Sequence, residues 1–176
     1  GIIGYGKMGR SRYREVVASG KAEVVSVFDS VEIDSHLPCA TTADEVIENS
    51  TIDAVFICTP NYLNRHLTVQ ALKAGKHVFC EKPLGISVAE CEKMVADCAD
   101  AGVLLFEAFV FLYHPKSLKL RQVIDAGQIG PLVQMQASFT FPLKRPTDNI
   151  RMNKELAGGS LMDVGCYPIS YARFIF

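Results

Sequence analysis

The chain has 176 residues, 49% of them hydrophobic and 21% charged, with a formal net charge of −1. That is room for one full domain and part of another, with enough apolar material for a core. So balanced a charge excludes a broad electrostatic pull toward nucleic acid or an anionic membrane, and partners must be recognised at a local site.

In chain order, Gly1 to Ile3 reads as the end of a strand, and a helix follows from Lys7 to about Ser19, stopped by Gly20. Ala22 to Phe28 carries Val24, Val25 and Val27 and reads as a buried strand, and Thr42 caps a short helix over Thr41 to Glu48. Asp53 to Cys58 is the next strand. The helix from Tyr62 to Ala74 places Leu63, Leu67, Ala71 and Ala74 on one face, with Gly75 ending it. Lys76 to Cys80 is a further strand. Ser87 and Glu90 have the capping-box spacing before a helix that turns Cys91, Met94, Val95 and Cys98 inward and ends near Gly102. Val103 to Ala108 completes a strand–helix alternation that means a parallel sheet covered on both faces.

The pattern changes near residue 110. A helix from Pro115 to Ala126 ends at Gly127, and Gly130-Pro131 makes a turn. Leu132 to Phe141 then alternates, with Val133, Met135, Ala137, Phe139 and Phe141 on one face and polar residues on the other. Period two with one polar face predicts an antiparallel sheet packed on one side. A polar loop over Pro142 to Lys154 leads to a last helix starting near Ser160. The expected organisation is therefore a doubly wound α/β domain over residues 1–110, then an incomplete α+β domain with an open antiparallel sheet over 111–176. The abrupt start at Gly1 and the stop at Phe176 inside a helical pattern read as a fragment.

The six cysteines form no C-x-x-C pair, so they read as small buried thiols suited to a reducing cytosol. The four histidines show no ligand-like clustering, and no metal site is expected. The longest apolar stretch, Val103 to Tyr113, is broken by Glu107 and too short to span a bilayer, and no signal peptide is visible.

Gly4-Tyr-Gly6-Lys-Met-Gly9 ends a strand and opens a helix. Gly4 makes the tight turn, Gly6 lets backbone approach a pyrophosphate, and Gly9 lets helix and strand pack closely; Lys7 and Met8 lie between them at the helix start. Asp29, at the end of the second strand, is placed to accept both ribose hydroxyls of an adenosine. A carboxylate repels the extra phosphate of NADP, which favours NAD, while Ser30 leaves room for NADP; the competing reading is that Asp29 caps a turn with Ser30. In a doubly wound sheet, ligands gather beyond the carboxyl ends of strands. Thr59, Pro60 and Asn61 after the third strand, with Glu81 and Lys82 after the fourth, are thus expected to flank a nicotinamide.

The glycine turn, the Thr-Pro-Asn segment, His66, the run from Ala74 to Pro83 and the run from Gly158 to Pro168 together resemble the Gfo/Idh/MocA oxidoreductases over essentially the whole chain. The resemblance implies a Rossmann domain followed by an α+β domain with an open sheet, and NAD(P)-dependent chemistry on sugars, polyols and related diols. It implies that Lys82 of the Glu-Lys-Pro element is catalytic or substrate-binding, that Asp163 touches substrate, and that Tyr167 is the proton-transfer residue. Tyrosine there resembles the branch with dihydrodiol dehydrogenase, glucose-fructose oxidoreductase and xylose dehydrogenase. Leu112 departs from the arginine that many relatives carry.

The i, i+4 spacing puts Asp163 and Tyr167 on one helix face, and Pro168 removes a donor and should kink that helix. A phenol with a pKa of about 10 is a poor base at neutral pH unless a nearby cation such as Lys82 favours the phenolate. His66 is expected near the cofactor, and Arg151 is either a substrate contact or a solvated loop residue. The competing class is a regulatory protein that binds the dinucleotide without turning it over. Relatives often associate through the open sheet, so a homo-oligomer is an expectation too.

Overall fold

The computed structural model describes residues 1–33, 36–144 and 149–176. The chain divides into two compact units, Gly1–Ala108 and Phe109–Phe176.

The first unit is a five-stranded parallel sheet: β1 (Ile2–Ile3), β2 (Val27–Phe28), β3 (Ala54–Ile57), β4 (His77–Cys80) and β5 (Leu105–Glu107), in the order β2-β1-β3-β4-β5. Between them run α1 (Lys7–Ser19), α2 (Ala43–Glu48), α3 (Asn61–Lys73) and α4 (Val88–Ala101). Side chains alternate across the pleat, so the sheet builds two cores. Ile3, Val55, Ile57, Val78 and Cys80 face Val46 and Ile47 of α2 and Leu67, Ala71 and Leu72 of α3. Ile2, Val24 and Val27 pack with Tyr5 and with Tyr13 and Val16 of α1 on the other face. That second face also carries Phe56, Phe79 and Phe106, in register on β3, β4 and β5, with ring centroids 4.9 and 4.7 Å apart.

The helices end where local chemistry stops them. Gly20 (φ 62°) and Gly102 (φ 66°) take the left-handed conformation after α1 and α4. Thr42 and Ser87 accept from the N–H groups of Glu45 and Glu90, as the capping boxes require. The returning carboxylates reach one residue further back than the motif implies: Glu45 accepts from Thr41 N–H and Glu90 from Ile86 N–H.

Several expectations need correction. The second strand is confined to Val27–Phe28, in register with the two residues of β1, and on its other side Val27 bridges Cys39. Of the expected face of α3, Leu67 and Ala71 are buried and Leu63 packs against the same core, but Ala74 is exposed, and Asn64, Thr68 and Leu72 are buried as well. Val95 is exposed and Met94 alone is buried on α4. Cys39 is exposed too, its thiol donating to Leu37 O in the link to α2, whereas Cys80 is fully buried and burial pushes its thiol up to about 12.

The second unit contains α5 (Pro115–Asp125) and α6 (Cys166–Ile175). His114 caps α5, its Nδ1 accepting from Lys116 N–H, and Arg121 of α5 donates to Phe174 O at 2.6 Å, closing the end of α6. Residues 132–141 form no strand and no ladder among the described residues, and Val133 is 91% exposed. The alternation marks a face that a sheet could use, but a strand exists only when another chain segment takes its hydrogen bonds. Of the loop over 142–154, residues 145–148 lie outside the described residues, and the remainder includes short 3-10 turns at Ile150–Met152 and Lys154–Leu156. None of the described helices is long and apolar enough to cross a membrane.

Candidate functional site

With strand order 2-1-3-4-5, the topological switch point lies between β1 and β3, where ligands bind beyond the strand ends. β1 runs into the glycine turn and β3 into Cys58-Thr-Pro-Asn. They touch there: Cys58 N–H donates to Ile3 O at 2.8 Å, and a Cβ on Gly4 would lie 2.6 Å from Cys58 O. Gly4 also has φ 89°, so both its conformation and its surroundings demand glycine. A Cβ on Gly9 would collide with the carbonyl oxygen of Gly4, which is the helix–strand packing that the spacing implied.

Gly6 differs from both. Its φ is −73°, and a Cβ there would meet nothing within 4 Å. Nothing among the described residues requires glycine at this position, and its backbone is open to approach from outside. Gly6 is the N-cap of α1, no side chain caps that helix, and its first turn holds no acidic residue. Lys7 and Met8, both exposed, open the helix. Unmet N–H groups and the positive end of a helix suit a pyrophosphate, so the residues present fit a dinucleotide.

Asp29 is half-buried at the end of β2. Its Oδ2 accepts from Tyr5 N–H at 2.7 Å, and its Oδ1 accepts from Val31 N–H at 3.3 Å. The carboxylate therefore braces the glycine turn as well as its own, with the Ser30 hydroxyl 3.5 Å away. The turn-capping reading thus holds in the geometry, and the remaining lone pairs keep an adenosine ribose within its chemistry.

The loop after β4 is anchored from several elements. Arg12 of α1 is 5% exposed and Glu81 8% exposed; Arg12 Nε and Nη2 both donate to Glu81 Oε1, at 2.8 and 2.6 Å. The guanidinium also bonds Glu15 at 2.6 Å and lies 5.3 Å from the centre of the Phe79 ring. Burial works against its charge, but the hydrogen bonds and charges of Glu15 and Glu81 outweigh that and hold Arg12 above its usual range. The Glu81 carboxylate is thus committed to a structural ion pair, a role its sequence position beside Lys82 did not suggest.

Asn64 of α3 is fully buried and donates from Nδ2 to Pro83 O at 2.8 Å and to Glu81 O at 3.3 Å. Its Oδ1 accepts from the Thr59 hydroxyl at 3.4 Å. Glu107 of β5 accepts from Leu84 N–H at 2.8 Å; burial pushes its carboxyl above the usual value, and that hydrogen bond opposes the shift. Lys82 stands half-buried in the middle of this loop, and Thr59, Pro60 and Asn61 are likewise half-buried at the start of α3. His66, expected beside the cofactor, is exposed on α3; Asn64, two residues earlier, is the residue that enters the loop network.

In the second unit the helix leading into α6 opens with a π turn over Leu161–Gly165. In that pattern the donor for Asp163 O would be residue 168, a proline without N–H; the Cys166 thiol lies 3.7 Å from that oxygen and 3.5 Å from Met162 O. The π turn, in which Cys166 N–H donates to Leu161 O, lies just before Pro168, which itself sits in the first turn of α6. Asp163 pairs with Arg151, Nε to Oδ2 at 2.6 Å, with its own side chain only 15% exposed. Arg151 is thus neither loose in solvent nor independent of Asp163. The Tyr167 ring is enclosed by Phe109, Phe111 and Phe139, with centroids 5.5, 5.8 and 5.3 Å away. Among the described residues no group of three or more His, Cys, Asp or Glu side chains could hold a metal ion.

The family model described as "Oxidoreductase family, NAD-binding Rossmann fold" matches residues 1–109, and that of the "GFO/IDH/MocA C-terminal domain" matches residues 117–176. The chain belongs to the Gfo/Idh/MocA oxidoreductase family. Its first unit is that family's NAD-binding Rossmann fold.

Among the relatives of this Gfo/Idh/MocA chain, D-xylose 1-dehydrogenase (NADP(+)) 2 of Haloferax volcanii is 40% identical over 130 residues, covering 74% of the chain and 40% of the relative. Trans-1,2-dihydrobenzene-1,2-diol dehydrogenase of Mus musculus is 34% identical over 133 residues, covering 76% and 39%. The crystal structure of a 3-ketoreductase from Actinomadura kijaniata, in complex with NADP and TDP-benzene, has a TM-score of 0.91 at 31% identity, covering 99% of this chain and 56% of that one. The chain therefore spans only about two-fifths to just over half of the length of these relatives.

Proposed function

We propose that this protein transfers a hydride between NAD(P) and a CH–OH carbon of a sugar, polyol or trans-diol. In this reading residues 1–110 hold the cofactor and 111–176 begin the substrate domain. The observation that carries it is Gly6: a glycine with ordinary φ and open space, at an uncapped helix start, in a family of oxidoreductases. The relatives named above, a xylose dehydrogenase, a dihydrodiol dehydrogenase and a 3-ketoreductase, support the substrate class.

In the proposed site, Gly4, Gly6, Lys7, Met8 and Gly9 receive the pyrophosphate, Asp29 the adenosine ribose, and Thr59, Pro60 and Asn61 the nicotinamide side. Glu81 acts by holding its loop against α1. The nicotinamide, when bound, supplies the two-electron acceptor or donor. On oxidation the substrate hydroxyl gives its proton to the Tyr167 phenolate, and on reduction the phenol returns it. Lys82 supplies the positive charge that favours the phenolate, and Asp163, steadied by Arg151, orients a substrate hydroxyl. The Asp29 carboxylate favours NAD over NADP by repelling a 2′-phosphate.

The test uses the intact protein with NAD and NADP against D-xylose, D-glucose, myo-inositol and a trans-dihydrodiol. Turnover of at least one, lost by about 100-fold or more in Tyr167→Phe with dinucleotide affinity retained, is the expected result. Tight dinucleotide binding without turnover of any of them would favour the regulatory alternative.

A further inference from the structure

We infer that Asn64 is a positioning residue for Lys82, setting the lysine through the carbonyl groups of the residues on either side of it, Glu81 and Pro83. This rests on the reading that Lys82 acts on the substrate.

Asparagine is a poor choice for the buried face of a helix. It costs about 0.5 kcal/mol in helix propensity relative to alanine, and a buried amide must find partners. The same stripe of α3 holds Leu67, Ala71 and Leu72, as packing alone would dictate, and one small hydroxyl, Thr68. Asn64 breaks that rule with an atom-by-atom match. Its amide group faces two carbonyl oxygens, Glu81 O and Pro83 O, so its donors must lie on that side, and its own oxygen faces the Thr59 hydroxyl.

The two carbonyls belong to the residues immediately before and after Lys82. One carboxamide therefore holds the peptide that joins Glu81 to Lys82 and the peptide that joins Pro83 to Leu84, one residue beyond the lysine, and through Thr59 ties the loop after β4 to the loop after β3. Glu107 accepts from Leu84 N–H and so holds the Pro83–Leu84 peptide from its other side, while Glu81 N–H on Ile57 O and the Glu81 side chain on Arg12 anchor only the stretch before Lys82. Among the hydrogen bonds described, only Asn64 grips both flanks of Lys82. A reacting group has to be held within about 0.5 Å of its working position by its supporting residues, and a misplacement of about 1 Å costs on the order of 100-fold in rate.

Two variants in the intact protein separate positioning from bulk. Asn64→Leu keeps the volume and removes every polar contact; Asn64→Asp keeps the shape and the acceptor for Thr59 but removes the donors. Two quantities are read: kcat, KM and dinucleotide Kd on the substrate turned over above, and the acetylation rate of Lys82 by acetic anhydride relative to exposed Lys93, mapped by mass spectrometry without substrate. The expected result is a kcat lower by about 10- to 100-fold with dinucleotide Kd within about twofold, and a Lys82 acetylation rate changed by about threefold or more. In Asn64→Asp both effects should shrink as pH falls and the protonated acid regains one donor. Unchanged kcat and unchanged Lys82 acetylation in a folded Asn64→Asp protein overturn the inference, and failure of both variants to fold overturns it too, since Asn64 would then serve the core. Lys82→Met separates the two readings: if it leaves turnover intact, the role given to Lys82 fails whatever Asn64 does, whereas if it abolishes turnover while Asn64→Asp does not affect kcat, only the positioning role fails.

Discussion

Removing Arg12 should be among the most damaging single changes to the first unit. Its guanidinium is the partner of the Glu81 carboxylate, and both side chains are nearly excluded from water, at 6% and 11% exposure. In Arg12→Met the carboxylate stays buried without a counter-charge, and breaking such a pair from one side costs about 3–5 kcal/mol. With a urea m-value of about 2 kcal/mol/M, the unfolding midpoint should fall by about 1.5–2.5 M. Glu15 also bonds Arg12, but its side chain is 58% exposed, so Glu15→Gln should cost less than about 1 kcal/mol. Because the loss comes from the orphaned charge, Arg12→Met combined with Glu81→Leu should recover most of it, as apolar replacements of buried pairs often do. The assay is urea unfolding followed by circular dichroism for the two single variants and the double. A loss below about 1 kcal/mol in Arg12→Met, or simple additivity in the double, would refute the reasoning.

Three further outcomes follow from the same geometry. Gly6→Ala should fold normally, because its Cβ meets nothing, yet bind dinucleotide at least about tenfold more weakly by fluorescence titration; Gly9→Ala should instead lose about 1–3 kcal/mol of stability, its methyl group striking Gly4 O. Iodoacetamide at pH 8 should label exposed Cys39 in the native protein and spare Cys58 and Cys80, whose thiols burial pushes up to about 12; mass mapping checks this. Glu107→Gln keeps an acceptor for Leu84 N–H while removing a carboxyl that burial raises above its ordinary value. A raised carboxyl contributes stability that is present below the unfolded value and lost as pH rises through the folded one. The variant should therefore exceed the wild type in urea midpoint at pH 8, with the advantage shrinking toward pH 4, and a constant difference across that range would contradict it.

What could be read from the sequence was what local spacing dictates. The glycine turn, the caps at Thr42 and Ser87 and the strand–helix alternation each involve residues close together in the chain, and the parallel sheet followed from them. Arg12 and Glu81 meet across 69 positions, so no window contains both, and each alone looks like an ordinary surface charge. Asn64 was hidden for another reason: apolar periodicity assigns a face by its hydrophobic members and passes over a polar residue whose partners are backbone carbonyls elsewhere. The same rule misplaced Ala74 and Val95, which lie one step round their helices from the buried stripe. Over 132–141 the alternation was real, but periodicity describes one strand and says nothing about whether a neighbour exists to pair with it. At Asp163 the motif suggested a substrate contact, and the arginine that pairs with it comes from a loop with no pattern to reveal it.

The most direct test of the account is transfer of deuterium from a carbon-deuterated sugar or diol to the cofactor. The intact protein is incubated with NAD and the deuterated compound, and the nicotinamide is analysed by mass spectrometry. Label should appear on the nicotinamide with the wild type and not above background with Tyr167→Phe or Lys82→Met. Tight NAD binding with no deuterium reaching the ring from any compound tried, or transfer that survives both substitutions, would contradict it.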